Sequence, residues 1–461
     1  MPNSKNSNSA YPITTSHIIP ESILELHVEY RPISGLRPNK HNPRTHSKKH
    51  INQIVESIDK FGFVNPIILD DQGNILAGHG RYFAAKLLGY KEVPVICIND
   101  MTEAQKKAYL IADNRLAELS GWDQNHLAFQ VQQIFEIDPE FDITITGFET
   151  GELDLIIGDQ FEHLESDTPL PPVSSGPSIS RPGDLWISGH HRCYCGDATK
   201  IDAVNTLMSD NSAQMVFTDP PYNLAIGNIV GRGQTKHREF PMASGEMTKE
   251  SFIFFLTVML KNLLSFTADG SIFYICMDWR HIGDLLTVAT SLNIETKNIC
   301  VWDKGRGGMG SMYRSQHEFV AVFKIGTAPH VNNIELGRHG RNRTNVWQYP
   351  PARIGGETDL SLHPTAKPIA MVADAIKDCS HRGDIILDPF CGSGTTIIAA
   401  ENTGRCAYVM ELDPHYVDLI IRRWQALTSE QAILEKSGMT FDEVAASRQS
   451  RGSDREMNDD I

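Results

Sequence analysis

Asp384-Ile-Ile-Leu-Asp-Pro-Phe-Cys-Gly-Ser-Gly-Thr-Thr396 is the stretch that decides the fold, together with the apolar run Ile397 to Asn402 and the segment Arg405-Cys-Ala-Tyr-Val-Met-Glu-Leu-Asp413 behind it. A short buried-strand pattern runs into a glycine turn and then into a helix, and a second strand follows. Glycines at 392 and 394 let backbone approach a ligand where a side chain would collide, and a helix N-terminus turns NH groups toward a carboxylate. The head group of an amino acid suits such a place. The second strand delivers Glu411 about twenty residues after the glycine loop, where a ribose diol needs an acceptor. A dinucleotide site is the competing reading, but the loop lacks the full G-x-G-x-x-G spacing.

Working upstream, Gln214-Met-Val-Phe-Thr218 reads as a central strand that carries Asp219-Pro220-Pro221-Tyr222 to the carboxyl edge of an α/β sheet. The motif has a chemical use. An exocyclic amine of a nucleobase is a poor nucleophile, because its lone pair is delocalised into the ring. The Asp219 carboxylate and the Pro220 carbonyl can both accept hydrogen bonds from that amine and favour a tetrahedral nitrogen. The prolines stiffen the turn, and Tyr222 can stack on a base turned out of the duplex. An ordinary proline turn is the bland alternative for these four residues taken alone.

With these motifs in place, residues 183 to 430 resemble the amino-methyltransferases of DNA. The resemblance implies Asp219, Pro220, Pro221 and Tyr222 as the catalytic motif and S-adenosylmethionine as cofactor. It implies a cofactor loop of Asp388, Pro389, Phe390, Gly392, Ser393, Gly394 and Thr395, with Glu411 and Asp413 behind it. His363-Pro-Thr365-Ala-Lys367-Pro matches a further motif that places His363, Thr365 and Lys367 in the cofactor pocket, and Asp197 of Gly196-Asp197 is expected at the cofactor adenine. The order of motifs, catalytic before cofactor, is that of the permuted β group, many of whose members methylate adenine. Aspartate at the first motif position favours adenine N6; cytosine N4 enzymes usually show serine there, and related RNA and protein enzymes tend toward asparagine. A rival from another class is a DNA-binding protein with a passive methyltransferase scaffold.

The first part of the chain reads differently. A helical spacing from His50 to Phe61 leads through Gly62 to the strand Pro66 to Asp70, a turn, the strand Ile75 to Ala77, a helix from Tyr82 to Leu88, and the strand Val93 to Ile98. Asn42-Pro-Arg44, the Phe61-Gly-Phe-Val-Asn-Pro-Ile67 run and Ala112-Asp-Asn-Arg115 resemble the ParB/sulfiredoxin-like fold over residues 28 to 158. Gly78-His79-Gly80-Arg81 stands at its nucleotide loop and is a candidate phosphate or nucleotide site, where partition-type members carry Gly-Glu-Arg-Arg. The expected layout is a flexible N-terminus over 1–20, a ParB-like α+β domain over 21–160 and a Pro/Ser-rich linker over 161–182. A doubly wound, Rossmann-like α/β methyltransferase domain follows over 183–434, and then a polar flexible tail over 435–461.

Charge narrows the rest. The 461 residues carry a net charge of −15, which excludes coating nucleic acid by bulk charge and makes local basic faces matter. Between Asp303 and Asn345, seven basic residues (Lys304, Arg306, Arg314, Lys324, Arg338, Arg341, Arg343) outnumber Asp303, Glu318 and Glu335. This is the expected DNA face, with Lys304, Arg306, Arg314, Arg338, Arg341 and Arg343 on phosphates. The 306–314 and 227–245 loops are expected to close on a flipped base. His190-His-Arg-Cys-Tyr-Cys195 invites a zinc reading, yet alternation suits a strand and no second ligand cluster matches, so no metal is expected. The eight scattered cysteines, the lack of an apolar signal core and the absence of a membrane-length apolar run point to a reduced, cytoplasmic protein. Double-stranded DNA is the expected partner, with a nucleotide at the first domain and a homodimer as further options.

Overall fold

The computed structural model describes residues 26–40, 42–138, 141–161, 176–223, 245–305, 307, 312–334, 342–350 and 367–456. Contacts divide the chain into two units: residues 1–127 with 142–148, and residues 128–141 with 149–461.

In the first unit the elements are β1 (Val28–Pro32), α1 (Lys48–Phe61), β2 (Ile67–Asp70), β3 (Ile75–Ala77), α2 (His79–Leu87), β4 (Glu92–Ile98) and α3 (Glu103–Glu118). The sheet order is β1-β4-β2-β3, with only the β2–β4 pair parallel. Ile67, Leu69, Ile75, Tyr82, Val93 and Val95 close its core. The Ser47 side chain caps α1 by accepting from the His50 amide at 3.1 Å. Helix α2 begins at His79, three residues earlier than its apolar pattern indicates, because Gly78 takes a left-handed φ of +94° and turns the chain directly off β3.

After α4 (Gln124–Ile137), the second unit contains α5 (Thr150–Phe161), β5 (Leu185–Ser188), β6 (His191–Cys195), α6 (Ile201–Met208), β7 (Ala213–Thr218), α7 (Lys249–Ser265), β8 (Thr267–Met277) and α8 (Ile282–Ser291). It continues through β9 (Glu295–Asp303), β10 (His317–Lys324), β11 (Val346–Gln348), α9 (Ile369–Cys379), β12 (Ile385–Asp388), α10 (Thr395–Thr403), β13 (Cys406–Glu411) and α11 (Pro414–Thr428). The last elements are β14 (Ile433–Leu434), β15 (Met439–Thr440) and α12 (Phe441–Glu456). One sheet of eleven strands runs β11-β9-β10-β8-β7-β12-β13-β6-β5-β14-β15. Its centre, β8-β7-β12-β13-β6, is parallel. Such strands are covered on both faces, and their near-continuous apolar burial reflects it. Helices α6, α7 and α8 pack one face through Leu207, Phe252, Leu256, Leu260 and Leu285. The other face receives α9, α10 and α11 through Met371, Ile376, Ile397, Ile420 and Trp424.

From β7 the chain moves outward to β8, and from β12 it moves the other way to β13. The strand order therefore reverses between β7 and β12, where open α/β sheets form their binding crevice.

Three features differ from the expected layout. Residues 435–448 are built into the second unit rather than forming a flexible tail. Phe441 and Val444 are buried against Trp186 and its neighbours, and Arg448 pairs with Asp184, so three anchoring residues outweigh a polar composition. The expected linker lies outside the described residues over 162–175, but Ile179 and Ser180 already donate their amides to Asp418 at 2.6 and 2.8 Å. Helix α5 also belongs to the second unit: buried Asp154 accepts two 2.8 Å hydrogen bonds from Arg405. The expected flexible segment 1–20 lies outside the described residues.

Candidate active site

Both sequence motifs arrive at the switch point. Strand β7 ends at Thr218 and hands over to Asp219; β12 ends at Asp388 and hands over to the glycine turn; Leu387 is in register with Val216. The two strand ends are tied directly. Asp388, 3% exposed, accepts from the Thr218 hydroxyl at 2.8 Å, from the Thr396 hydroxyl at 2.6 Å and from the Phe390 amide at 3.1 Å. Burial raises its carboxyl to about 6 in spite of these donors. Asp388 is thus an internal brace between the two halves of the site, and the structure spends its acceptor capacity on the protein itself.

In the loop, Gly392 and Gly394 have φ of +54° and +88°, and a Cβ on Gly394 would come within 3.1 Å of Ile420. Pro389 is buried, the Phe390 ring packs edge-on against Phe255, and the Ser393 carbonyl accepts from Arg423. The Thr395 hydroxyl donates to the Lys367 carbonyl at 3.3 Å. Glu411, at the end of β13, accepts from the Gly392 amide through Oε2 and from the Asp413 amide through Oε1, each at 2.9 Å. Burial drives its carboxyl up to about 7. Asp413 caps α11 by accepting from the His415 amide. Asp197 closes a turn on itself, accepting from the Thr199 amide and hydroxyl at 2.9 and 2.7 Å.

The Asp219–Tyr222 motif is surrounded by charge. Asp219 accepts from the Tyr222 hydroxyl through Oδ1 and from the Lys367 ammonium through Oδ2. Glu318 on β10 lies 3.2 Å from the same ammonium and 3.3 Å from the same hydroxyl, and its other oxygen pairs with Lys304. Lys304 and Lys367 approach the Trp302 ring at 4.8 and 5.7 Å. Burial raises the Asp219 carboxyl, with Lys367 opposing and the Glu318 charge adding to the rise. Burial also works to raise Glu318, but the two lysine charges prevail and hold it down to about 2. Pro220 is buried and Pro221 half-buried. Behind the motif, Asn223 takes a φ of +55°; its side chain donates to the Met247 carbonyl and accepts from the Gly245 and Met247 amides.

Several expected residues are placed otherwise than the sequence indicates. Lys367, expected in the cofactor pocket, pairs with the Asp219 carboxylate. Lys304, expected on a phosphate, is committed to Glu318. Arg343 points inward: its guanidinium pairs with Asp378 at 2.8 Å and Asp374 at 3.0 Å, donates to the Tyr349 hydroxyl and lies over Trp347. One buried carboxylate, Asp378, and one partly exposed, Asp374, outcompete solvent for that arginine. Arg314 is exposed, beside exposed Met312 and Tyr313. Arg306, Arg338, Arg341, His363, Thr365 and the 224–244 loop lie outside the described residues. His191 bonds Glu401 and the Ala407 amide, Cys193 and Cys195 are buried on β6, and among the described residues no group of three or more ligand side chains is arranged for a metal. Glu318 had no motif to announce it, and Thr218 and Thr396, though inside the strand and loop motifs, had no role assigned from the sequence.

In the first unit, His79 is 6% exposed and accepts from the Asn39 amide through Nε2. A Cβ on Gly80 would meet Ile54 at 2.7 Å, so glycine there serves close helix packing. Arg81 donates to the Pro66 carbonyl at 3.3 Å, while its buried Nε has no partner among the described residues. It lines a cleft of about 290 Å³ with His50, Gln53, Phe63, Asn65 and Thr146.

Comparison with known proteins agrees with this division. A family model described as DNA methylase, of the N6/N4 type, matches residues 213–422, and one described as ParB N-terminal domain matches residues 21–114. The 213–422 region is a DNA methylase domain of the N6/N4 family, and the 21–114 region is a ParB N-terminal domain. The ParB-like nuclease domain-containing protein YnaK of Escherichia coli is 47% identical over 83 residues, covering 18% of this chain and 95% of that protein. The type II methyltransferase M2.MboI of Moraxella bovis is 26% identical over 230 residues, covering 48% of this chain and 83% of that enzyme. Among solved structures, a complex of M1.HpyAVI with SAM is 18% identical, covers 50% of this chain and 98% of that one, and has a TM-score of 0.37. No helix among the described residues is long and apolar enough to cross a membrane.

Proposed function

We propose that this DNA methylase moves a methyl group from S-adenosylmethionine to the exocyclic amine of a base flipped out of double-stranded DNA, with adenine N6 as acceptor. The observation that carries this reading is the Thr218–Asp388 hydrogen bond. It joins a strand that ends in an amine clamp to a strand that ends in a nucleoside-type loop, at the switch point of one sheet.

The residues fit the cofactor. A carboxylate offers about four lone-pair positions, and Glu411 uses two on backbone amides, so acceptors remain for a ribose diol. Its carboxyl, driven up by burial, gains stabilising donors when a diol arrives. The bound cofactor supplies an electrophilic methyl on a sulfonium. The protein does the rest: Asp219 and the Pro220 carbonyl take the two amine hydrogens, Tyr222 and Trp302 border the base, and Asp388 fixes the distance between the clamp and the loop. The alkylated nitrogen is acidic, so a carboxylate is a sufficient acceptor for its proton. Aspartate at 219 favours adenine. The acceptor base is tested by digesting methylated duplex to nucleosides: N6-methyladenine supports the assignment, and N4-methylcytosine alone overturns it.

A second reading concerns the first unit, where Arg81 with its unpartnered buried Nε favours a phosphate-bearing nucleotide in the cleft. Calorimetry of the full chain with nucleoside triphosphates, with Arg81→Ala as control, tests it; equal heats for both proteins would dismiss it.

A further inference from the structure

Asp219 meets an incoming amine with half of its acceptor capacity already spent. One oxygen accepts from the Tyr222 hydroxyl and the other from the Lys367 ammonium, which leaves each a single further lone pair of weakened acceptor strength for the NH2 group. The clamp is stronger if those donors are received elsewhere when the base arrives. Solvent is a poor receiver for Lys367, whose side chain is 5% exposed, because a buried ammonium without a counter-charge is strongly disfavoured. A single group stands within reach of both donors among the described residues. Oε2 of Glu318 is 3.2 Å from the Lys367 ammonium and 3.3 Å from the Tyr222 hydroxyl, on the strand that borders β8.

We infer that Glu318 is a positioning residue which takes over Lys367 and Tyr222 from Asp219 when the target amine enters, so that the catalytic carboxylate is released at no loss of charge balance. This deepens the methylase reading and rests on it. The geometry is that of an exchange. Asp219 and Glu318 bring two negative charges, Lys367 and Lys304 two positive ones, and the set is neutral with Lys367 on either carboxylate. Lys304 pairs with Oε1 and keeps Glu318 ionised, in keeping with a carboxyl held down to about 2, while Oε2 already holds both donors at 3.2–3.3 Å and can draw them closer. The side chain is 13% exposed, so the receiving pairs form in a medium where they are stronger than in water. The other titratable groups facing this cluster are the buried Cys276 thiol on β8, which burial pushes up and leaves neutral, and Asp388 behind Thr218.

Glu318→Gln removes the charge and keeps the shape. Single-turnover transfer of labelled methyl to duplex DNA is expected to slow by about ten- to a hundredfold, the scale of losing one preorganised electrostatic contact. Cofactor affinity and DNA affinity should stay within about threefold, and Glu318→Asp should recover part of the rate because it restores the charge. A structural role would not move the following signature. The Glu318 charge raises the Asp219 carboxyl, so its removal shifts the acid limb of the pH–rate profile to lower pH while the plateau falls. Wild-type protein and Asp219→Ala are measured beside the variants. A Glu318→Gln plateau equal to wild type, or a slower plateau with an unmoved acid limb, overturns the inference alone. Absence of methyl transfer by the wild type would overturn the methylase reading and this inference with it.

Discussion

Replacing Asp154 by alanine should destabilise the second unit although the residue lies some 230 positions before the cofactor loop. Asp154 is the buried anion of α5, with its side chain 1% exposed against 0% for Arg405. The two share a bidentate pair of 2.8 Å hydrogen bonds, and Arg382 approaches the same carboxylate at 3.4 Å. Removing it leaves two buried guanidinium groups beside each other. Breaking one side of a buried pair costs about 3–5 kcal/mol. Arg405 retains the Thr403 and Ser380 carbonyls and the Ser380 hydroxyl as acceptors, so the lower part of that range, about 3 kcal/mol, is expected. For a unit of this size, that lowers the melting temperature by about 4–5 °C. The pH dependence follows from the sign of the shift. Burial works to raise Asp154, but the arginine charges outweigh it and hold the carboxyl below its usual range. Its stabilisation is therefore complete above the unfolded value near 3.8 and is lost as pH falls through the lower folded value. Scanning calorimetry of the full chain should show a wild-type-to-variant difference that is flat from pH 8 to 5 and shrinks only below about pH 4. A variant melting within 2 °C of wild type at pH 7 would refute the assignment of α5 to this unit's core.

Three further outcomes follow. Cofactor affinity should weaken as pH falls through about 7, approaching tenfold per unit below it, because the diol pairs with ionised Glu411; a dissociation constant flat from pH 6 to 8.5 in calorimetry would contradict this. Arg343→Ala should lower the melting temperature, through uncompensated Asp374 and Asp378, while leaving the salt slope of DNA binding unchanged; a slope reduced by about one would restore it as a phosphate contact. Asn223→Ala forfeits three hydrogen bonds that tie the two ends of the 224–244 segment, and should raise the KM for DNA severalfold with cofactor affinity untouched; an equal loss in both would place Asn223 elsewhere in the mechanism.

What was legible in the sequence is what is local in the chain. The strand, glycine turn and helix of 384–402, and the strand that delivers Asp219, each lie within about twenty residues, and each formed as its pattern indicates. Pairings across long separations left no such trace. Lys367 reaches Asp219 over 148 residues, and Asp154 reaches Arg405 over 251. Counting charges between 303 and 345 misled for a physical reason. Lys304 and Glu318 cancel each other inside the active site, and Arg343 is cancelled by carboxylates outside the counted window, so the sum described no surface. The C-terminal segment misled similarly: a polar composition hides a helix that needs only Phe441, Val444 and Arg448 to dock. Glu318 entered the sequence reading as a charge to subtract, whereas in the fold it faces both donors of Asp219.

Asp219 is proposed to work on an amine presented beside the 388–396 loop, and the decisive assay is transfer of labelled methyl from S-adenosylmethionine to duplex DNA by wild type and Asp219→Ala. Wild-type protein should label the duplex, and the variant should fall by at least about a hundredfold with cofactor binding preserved. Undiminished labelling by Asp219→Ala would contradict the account.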